Sequence, residues 1–249
     1  MSSRGPRVLS WLLGEVAELI QETPRVASLV LKMPDWPGHL AGQHVDVRVT
    51  AEDGYQAERS YSIASAPEDA RLAITVERLD DGEVSPYLVG EVRIGDKVEL
   101  RGPIGGYFVW KPADERPLLL VAGGSGVAPL MAMIRHREAI NSKTPTRLLY
   151  SSRSGDDIIY RAELDRLASL GNGLTVAHTL TRMQPPGWKG YARRIDSAML
   201  GEVAWPKHEM PLTFVCGPTP LVESVATLMV DVGYDPASIK TERFGPTGG

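Results

Sequence analysis

The chain has 249 residues, 43% of them hydrophobic and 23% charged, a balance that suits an ordinary soluble protein of one large domain or two smaller ones. Its net charge of −4 gives no overall electrostatic reason to bind nucleic acid or an anionic membrane. The single cysteine, Cys216, excludes an intramolecular disulfide, a four-cysteine zinc site and an iron–sulfur cluster ligated by this chain alone, and the five histidines show no paired metal-ligand spacing.

Near the N-terminus the apolar patch in WLLGEVAELI is interrupted by Glu15 and Glu18, and no long apolar run or cleavage pattern follows, so a cytoplasmic protein is expected. From about residue 9 to 110, short runs such as VASLVLKMP, HVDVRVT, RSYSIAS, LAITVERL and KVELRGP are separated by turn signals that include Asp53-Gly54 and Asp81-Gly82. This spacing predicts an antiparallel barrel or sandwich, with one helical segment in SPYLVGEV. WKPADERP, residues 110–117, reads as a linker and divides the chain into domains over 1–111 and 112–249. Beyond it the period changes. PLLLVAG reads as a buried strand, and Val127, Leu130, Met131 and Ile134 recur at helical spacing behind it. TRLLYSS, LTVAHTL, LTFVCG and SIKTERF continue as strands, alternating with helices near IIYRAELDRLA, RIDSAML and TPLVESVATLMVDVG. Strands alternating with helices predict a parallel sheet covered on both faces.

Three stretches carry chemistry. In ERSYSIASAP, side chains alternate along a strand, so Arg59 and Tyr61 share one face while Ser60 and Ser62 point the other way. That face suits a ligand with an anionic end and a flat ring; an edge strand with a solvated arginine is the plainer alternative. In VAGGSGVAPLMAMI, Gly123, Gly124 and Gly126 form the turn between strand and helix, where free N–H groups and a helix N-terminus suit a pyrophosphate. Ala128 and Pro129 depart from the GxGxxG pattern, and a tight turn with no ligand stays open. CGPTP, residues 216–220, makes a second such turn with Pro218 and Pro220 in the helix's first turn, and both turns border one crevice at the strands' carboxyl ends. Cys216 itself reads as a small buried hydrophobe.

RSYS (59–62), GEVS (82–85), GPIGGYF (102–108), GGSGVAP (123–129), CGPTP and the terminal ERF occur in an order and spacing that resembles the ferredoxin–NADP reductase superfamily over nearly the whole chain. The resemblance implies a six-stranded antiparallel flavin-binding barrel followed by a Rossmann-like five-stranded parallel sheet with helices on both faces. It implies that Arg59, within RSYS with Ser60, pairs with the flavin phosphate, that Tyr61 packs on the isoalloxazine, and that Ser62 lies near the flavin N5. Gly82, Glu83, Val84 and Ser85 would face the pyrophosphate, and the backbone of Val76 would touch the flavin. Glu77 stands where many relatives have lysine. Gly124, Ser125 and Gly126 would surround the nicotinamide nucleotide, Cys216 with Gly217 and Pro218 would lie near its ring, and Phe244 would shield the flavin face.

Arg182 and Arg194 match basic positions that read a 2′-phosphate, with Thr181 adjacent and Arg153 able to add to them. NADP(H) is therefore expected, with NAD(H) possible; the plainer alternative is that Arg153, Arg182 and Arg194 are solvated loop arginines, since Asp156 and Asp157 are close by. The implied activity is hydride transfer from NADPH to bound FAD, with Ser62, Ser125, Cys216 and Phe244 as the catalytic group. Electrons would then pass to a separate ferredoxin, flavodoxin or oxygenase component. A free-flavin reductase, a non-catalytic electron-transfer subunit and FMN in place of FAD are alternatives. No nucleic-acid or membrane partner is expected, the chain is expected to be a monomer or weak oligomer, and the role of the GPTGG tail is left open.

Overall fold

Short alternating runs become strands because each can bury one face. In a computed structural model that describes residues 9–245, they are β1 (Trp11–Thr23), β2 (Val26–Lys32), β3 (His44–Thr50), β4 (Gln56–Ser62), β5 (Leu72–Glu77) and β6 (Lys97–Ile104). Residues 1–8 and 246–249, most of the GPTGG tail among them, lie outside the described residues. The six strands form an antiparallel sheet in the order β4-β3-β6-β1-β2-β5. Its two edges meet at an antiparallel bridge between Ile63 and Ile74, which curls the sheet into a barrel. Val16, Leu29, Leu31, Val45, Val47, Ile74 and Leu100 fill the interior, and the short helix α1 (Ser85–Gly90) adds Leu88 to it.

The longest strand, β1, is the one whose sequence alternates least cleanly. Its pairing with β2 slips between Val16 and Glu18 and again between Gln21 and Thr23. Such bulges change which residues face inward, and they let one strand bend around the barrel while pairing β6 at its start and β2 along the rest.

The second half forms a parallel sheet from β7 (Leu118–Gly123), β8 (Thr146–Ser154), β9 (Leu174–Met183), β10 (Leu212–Pro218) and β11 (Ile239–Phe244), in the order β11-β10-β7-β8-β9. Four helices cover it: α2 (Val127–Ala139), α3 (Arg161–Ser169), α4 (Ser197–Val203) and α5 (Thr219–Asp231). Successive residues of β7 serve opposite layers. Leu118 and Leu120 pack with Leu130 and Met131 of α2 and Leu164 of α3, while Leu119 and Val121 pack with Met199 of α4 and Val222 and Met229 of α5. The chain starts this sheet in the middle, builds outward to β9, then returns to the other side with β10, so the order reverses between β7 and β10. Ligands of open parallel sheets bind at that reversal.

From Val127 to Ile134 every residue of α2 is buried, because the helix lies between its own sheet and the barrel residues Val26, Ala41 and Ala64. Trp110, at the start of the expected linker, is 1% exposed and belongs to this shared core. Beyond it, Tyr107 and Val109 meet the last strand: the Tyr107 hydroxyl donates to the Ile239 carbonyl at 3.3 Å, and Lys240 Nζ donates to the Val109 carbonyl at 3.2 Å.

A polar seam completes the contact between the halves. Ser28 Oγ donates to Glu22 Oε1 at 2.7 Å and lies 2.8 Å from Thr75 Oγ1, which in turn meets the hydroxyl of Tyr160. Because the Ser28 hydrogen is committed to a carboxylate, Thr75 donates to Ser28 and Tyr160 donates to Thr75. Tyr160 is buried and left-handed (φ 58°), a conformation costly for a bulky residue, at the start of α3. Arg135 of α2 stacks over its ring, grips Glu163 through two nitrogens and donates to the Ala64 carbonyl of the barrel at 2.7 Å. Replacing Thr75 with valine strips the Tyr160 hydroxyl of its partner and is expected to cost about 1–3 kcal/mol in urea unfolding. Adding Tyr160→Phe should recover part of that loss; a double variant as unstable as the sum of the two singles would show that the seam is not coupled.

Candidate active site

On the barrel side, the register places Arg59 opposite Val47, Tyr61 opposite Val45 and Ser60 opposite Asp46. Val45 and Val47 are buried, so Arg59 and Tyr61 share the inward face, as the alternation requires. Tyr61 is half-buried against the barrel core, and burial pushes its hydroxyl pKa up to about 12. Arg59 sits at the rim, where Nη2 donates to Glu83 Oε2 at 3.1 Å and Nη1 to the Glu58 carbonyl at 2.7 Å. The Tyr55 hydroxyl donates to the other Glu83 oxygen at 2.7 Å. RSYS and GEVS, 20 residues apart in sequence, thus meet through an anion held by a guanidinium, and a phosphate oxygen is the chemical equivalent of that carboxylate. Ser60 Oγ, by contrast, is spent on Asp46 Oδ1 at 2.6 Å on the outer face. Ser62 pairs across the ladder with His44. Ser85 Oγ accepts from the Leu79 N–H at 3.0 Å, which tightens the turn through Gly82 and buried Val84. Val76 is buried in β5.

On the sheet side, β7 ends at Gly123 and a single turn, Gly124–Gly126, leads into α2. Gly124 is left-handed at φ 53°, and its carbonyl accepts from the Tyr150 hydroxyl at 3.1 Å. Gly126 is required for a different reason. A Cβ there would lie 2.3 Å from the Cys216 carbonyl oxygen, so only glycine lets the helix start against the backbone of β10. Ser125 Oγ donates to Glu77 Oε2 of the barrel at 2.7 Å.

A cleft of about 180 Å³ opens beside this contact, between Arg25 and Glu77 of the barrel and Ser125, Arg153 and Phe244 of the other half. Gly124, Thr181 and Pro218 also line it, whereas Gly126, Cys216 and Gly217 do not. Cys216 is fully buried, and burial, helped by the charge of Glu242, holds its thiol well above the ordinary range, which suits packing and not nucleophilic attack. Arg182 and Arg194 are exposed and outside the cleft lining, the first beside Thr181 on β9 and the second on the loop before α4. Neither they nor Arg153 form an ion pair with a described residue, and Asp157 is occupied by the Ser154 hydroxyl at 2.6 Å.

One residue of this site escaped the sequence reading. Glu242, between Lys240 and Phe244 on the same side of β11, is the ladder partner of Cys216. Its Oε1 lies 4.0 Å from His44 Nδ1, and its Oε2 is buried with no hydrogen-bond partner among the described residues. Burial raises its pKa to about 7 and also lowers that of His44, so at neutral pH the pair has little net charge to stabilise it. Glu242 is the first residue of the ERF motif itself, and on a strand that also carries Lys240 and Arg243 an acid gives no sequence signal of burial. Among the described residues, no cluster of His, Cys, Asp and Glu is arranged to hold a metal, and no helix is long and apolar enough to cross a membrane.

Residues 15–109 match the family model of the oxidoreductase FAD-binding domain, and residues 120–227 match that of the oxidoreductase NAD-binding domain. The chain is 33% identical over 210 residues to the glycine betaine monooxygenase reductase subunit of Chromohalobacter salexigens, covering 83% of this chain and 56% of that protein. It therefore spans little more than half the length of that relative. It is 30% identical over 205 residues to NADH-cytochrome b5 reductase 1 of Aspergillus terreus, covering 79% and 68% of the two chains. Among solved structures, the flavohem-like FAD/NAD-binding domain of nitric oxide dioxygenase from Vibrio cholerae superposes with a TM-score of 0.84 at 27% identity, over 94% of this chain and 99% of that one. A barrel and a parallel sheet facing each other across this cleft define a two-domain oxidoreductase fold for a flavin and a nicotinamide nucleotide. The chain belongs to the ferredoxin–NADP reductase superfamily.

Glu242 gives stability a pH dependence of definite sign. Its folded pKa is raised, so the folded state keeps a proton that the unfolded chain has already lost between about pH 4.5 and 7, and stability falls as pH rises through that window. Glu242→Gln removes the effect. Its melting temperature is expected to gain on that of the unchanged protein from pH 5 to pH 8 by on the order of 5 °C. A gap that stays constant over that range would show that Glu242 ionises normally.

Proposed function

We propose that the chain is a flavin-dependent NAD(P)H reductase that accepts hydride from NADPH on bound FAD and passes electrons to a separate ferredoxin, flavodoxin or oxygenase component. The observation that carries this reading is the Ser125–Glu77 contact, which seats the nucleotide turn of one domain directly on the strand that ends the flavin face of the other. We take 1–111 as the flavin domain and 112–249 as the nucleotide domain. The oxygenase option is supported by the similarity to a monooxygenase reductase subunit.

The residues present fit a flavin. Arg59 exchanges the Glu83 carboxylate for a phosphate, the turn through Gly82, Val84 and Ser85 borders that phosphate, and Tyr61 offers its ring as a plate. Ser60 braces β4 through Asp46, and Ser62 faces the ring edge beside His44. When bound, the flavin supplies the step between a two-electron donor and one-electron acceptors. Gly124, Ser125 and Gly126 receive the nucleotide, Phe244 covers the cleft wall, and Cys216 packs behind it as a neutral thiol. Arg153, which lines the cleft with Thr181, and Arg182 and Arg194 outside it have no carboxylate partner among the described residues, which supports a 2′-phosphate and hence NADPH over NADH.

A second reading has one observation in its favour. Because Glu83 competes with phosphate for Arg59, the flavin is held less tightly than an unopposed arginine would hold it, and a free-flavin reductase exploits such a site. Flavin retained through gel filtration favours the carrier reductase; flavin lost there, with rapid reduction when it is added back, favours the second.

Arg59→Ala is expected to weaken FAD binding by about tenfold or more in a fluorescence titration of the apoprotein. Unchanged affinity would remove Arg59 from the flavin site. In anaerobic stopped flow, Arg182→Ala should raise the NADPH concentration needed for half-maximal flavin bleaching by about tenfold and leave NADH within about twofold. Equal effects on the two nucleotides would mean that Arg182 does not read the 2′-phosphate.

A further inference from the structure

The hydroxyl of Ser125 has one hydrogen and two lone pairs, and the hydrogen is already placed: it points to Glu77 Oε2 at 2.7 Å. Glu77 has no cation paired with it among the described residues, and a carboxylate only accepts, so it cannot return a hydrogen to the serine. Both residues line the cleft, and a Cβ added at Gly124 would come within 4.0 Å of the same Glu77 oxygen, so the carboxylate lies against the turn itself. The Ser125 oxygen therefore offers lone pairs alone to anything bound beside it. A hydroxyl that can rotate serves donors and acceptors equally; one pinned in this way rejects acceptors.

We propose that Glu77 is a positioning residue: by taking the Ser125 hydrogen it makes that oxygen accept only, so that the cleft selects nicotinamide nucleotides through the N–H group of their carboxamide. This rests on the reading of the cleft as the nucleotide site. Glu77 also places a negative charge near the pyrophosphate. That repulsion weakens every dinucleotide alike, whereas the orientation of Ser125 discriminates between them.

The probe is a pair of oxidised nucleotides, NADP⁺ and its 3-acetylpyridine analogue, in which a methyl group replaces the carboxamide nitrogen. Neither is turned over by the oxidised holoenzyme, so calorimetry reads binding alone. The unchanged protein is expected to bind NADP⁺ about tenfold more tightly than the analogue, because the analogue turns an acceptor or a methyl group toward the serine lone pairs. In Glu77→Ala both affinities should rise as the repulsion disappears, and the gap should shrink to within about threefold because Ser125 is free to turn its hydrogen outward. Glu77→Leu keeps the bulk of the side chain and should behave in the same way, and retained flavin reports that each variant is folded. Ser125→Ala should also close the gap. A gap that persists in both Glu77 variants but closes in Ser125→Ala would overturn the proposal, since serine would then read the carboxamide without help. No gap in the unchanged protein would overturn it as well. Failure of the unchanged holoenzyme to bind NADP⁺ at all would instead sink the reading of the cleft, and this proposal with it.

Discussion

How closely one turn can approach its neighbours decides the geometry of the whole cleft. Gly126 has no side chain, so the first turn of α2 rests on the Cys216 carbonyl, and any larger residue would push the helix away by more than an ångström. With the helix there, Ser125 reaches Glu77 in the other half of the molecule, and the carboxyl end of β7 faces the carboxyl end of β5. The unbroken burial of α2 from Val127 to Ile134 follows from the same placement, since a helix drawn this far inward has no solvent face left over that stretch. Tyr150 and Tyr160 then support the turn from below: one holds the Gly124 carbonyl, and the other ties Thr75, two residues before Glu77.

The cleft carries charges of both signs that are not paired with one another among the described residues. Arg25 and Arg153 line it together with Glu77 and Asp157, and outside the cleft lining Glu242 and His44 are each driven by burial toward their neutral forms. A site of this kind is close to electrically balanced as it stands, and an entering anion meets cations at its edge and a carboxylate at its centre. The barrel rim shows the same economy, with Glu83 occupying the fork of Arg59. Exposed ion pairs of this type contribute little to stability, so exchanging one anion for another costs little folding free energy.

The parts of the fold that were legible in the sequence are those where a single local period decides the outcome. The strands from β2 to β6 alternate, the later strands are short apolar runs, and the glycine turns sit where strand meets helix. β1 was not legible as a strand because its bulges shift the inward set partway along, so the pattern of any one segment contradicts the next. Trp110 looked like the start of a linker because its neighbours are lysine and proline; only the partner helix, far along the chain, explains its burial. In the site, Arg59 and Tyr61 could be read from alternation, whereas Ser60's engagement by Asp46 depended on a register that no local pattern encodes. Glu242 was hidden for the converse reason: a charged residue on an edge strand normally points to water, and here the barrel covers that edge.

That covering has a mechanical meaning. β11 has a ladder on one side only, to β10, and on its other flank it is fastened to the segment leaving the barrel, through Tyr107 to the Ile239 carbonyl and through Lys240 to the Val109 carbonyl. The strand that carries Glu242 and Phe244 is thus the spacer between the two halves as well as the last member of a sheet. A rotation that spread the halves apart would load this strand together with the glycine turn, which is held to the barrel by Ser125, and α2, which is held by Arg135. The buried acid and the terminal ring therefore sit on a strand that answers to both halves at once, held by a ladder on one flank and by two bonds to the barrel's exit segment on the other.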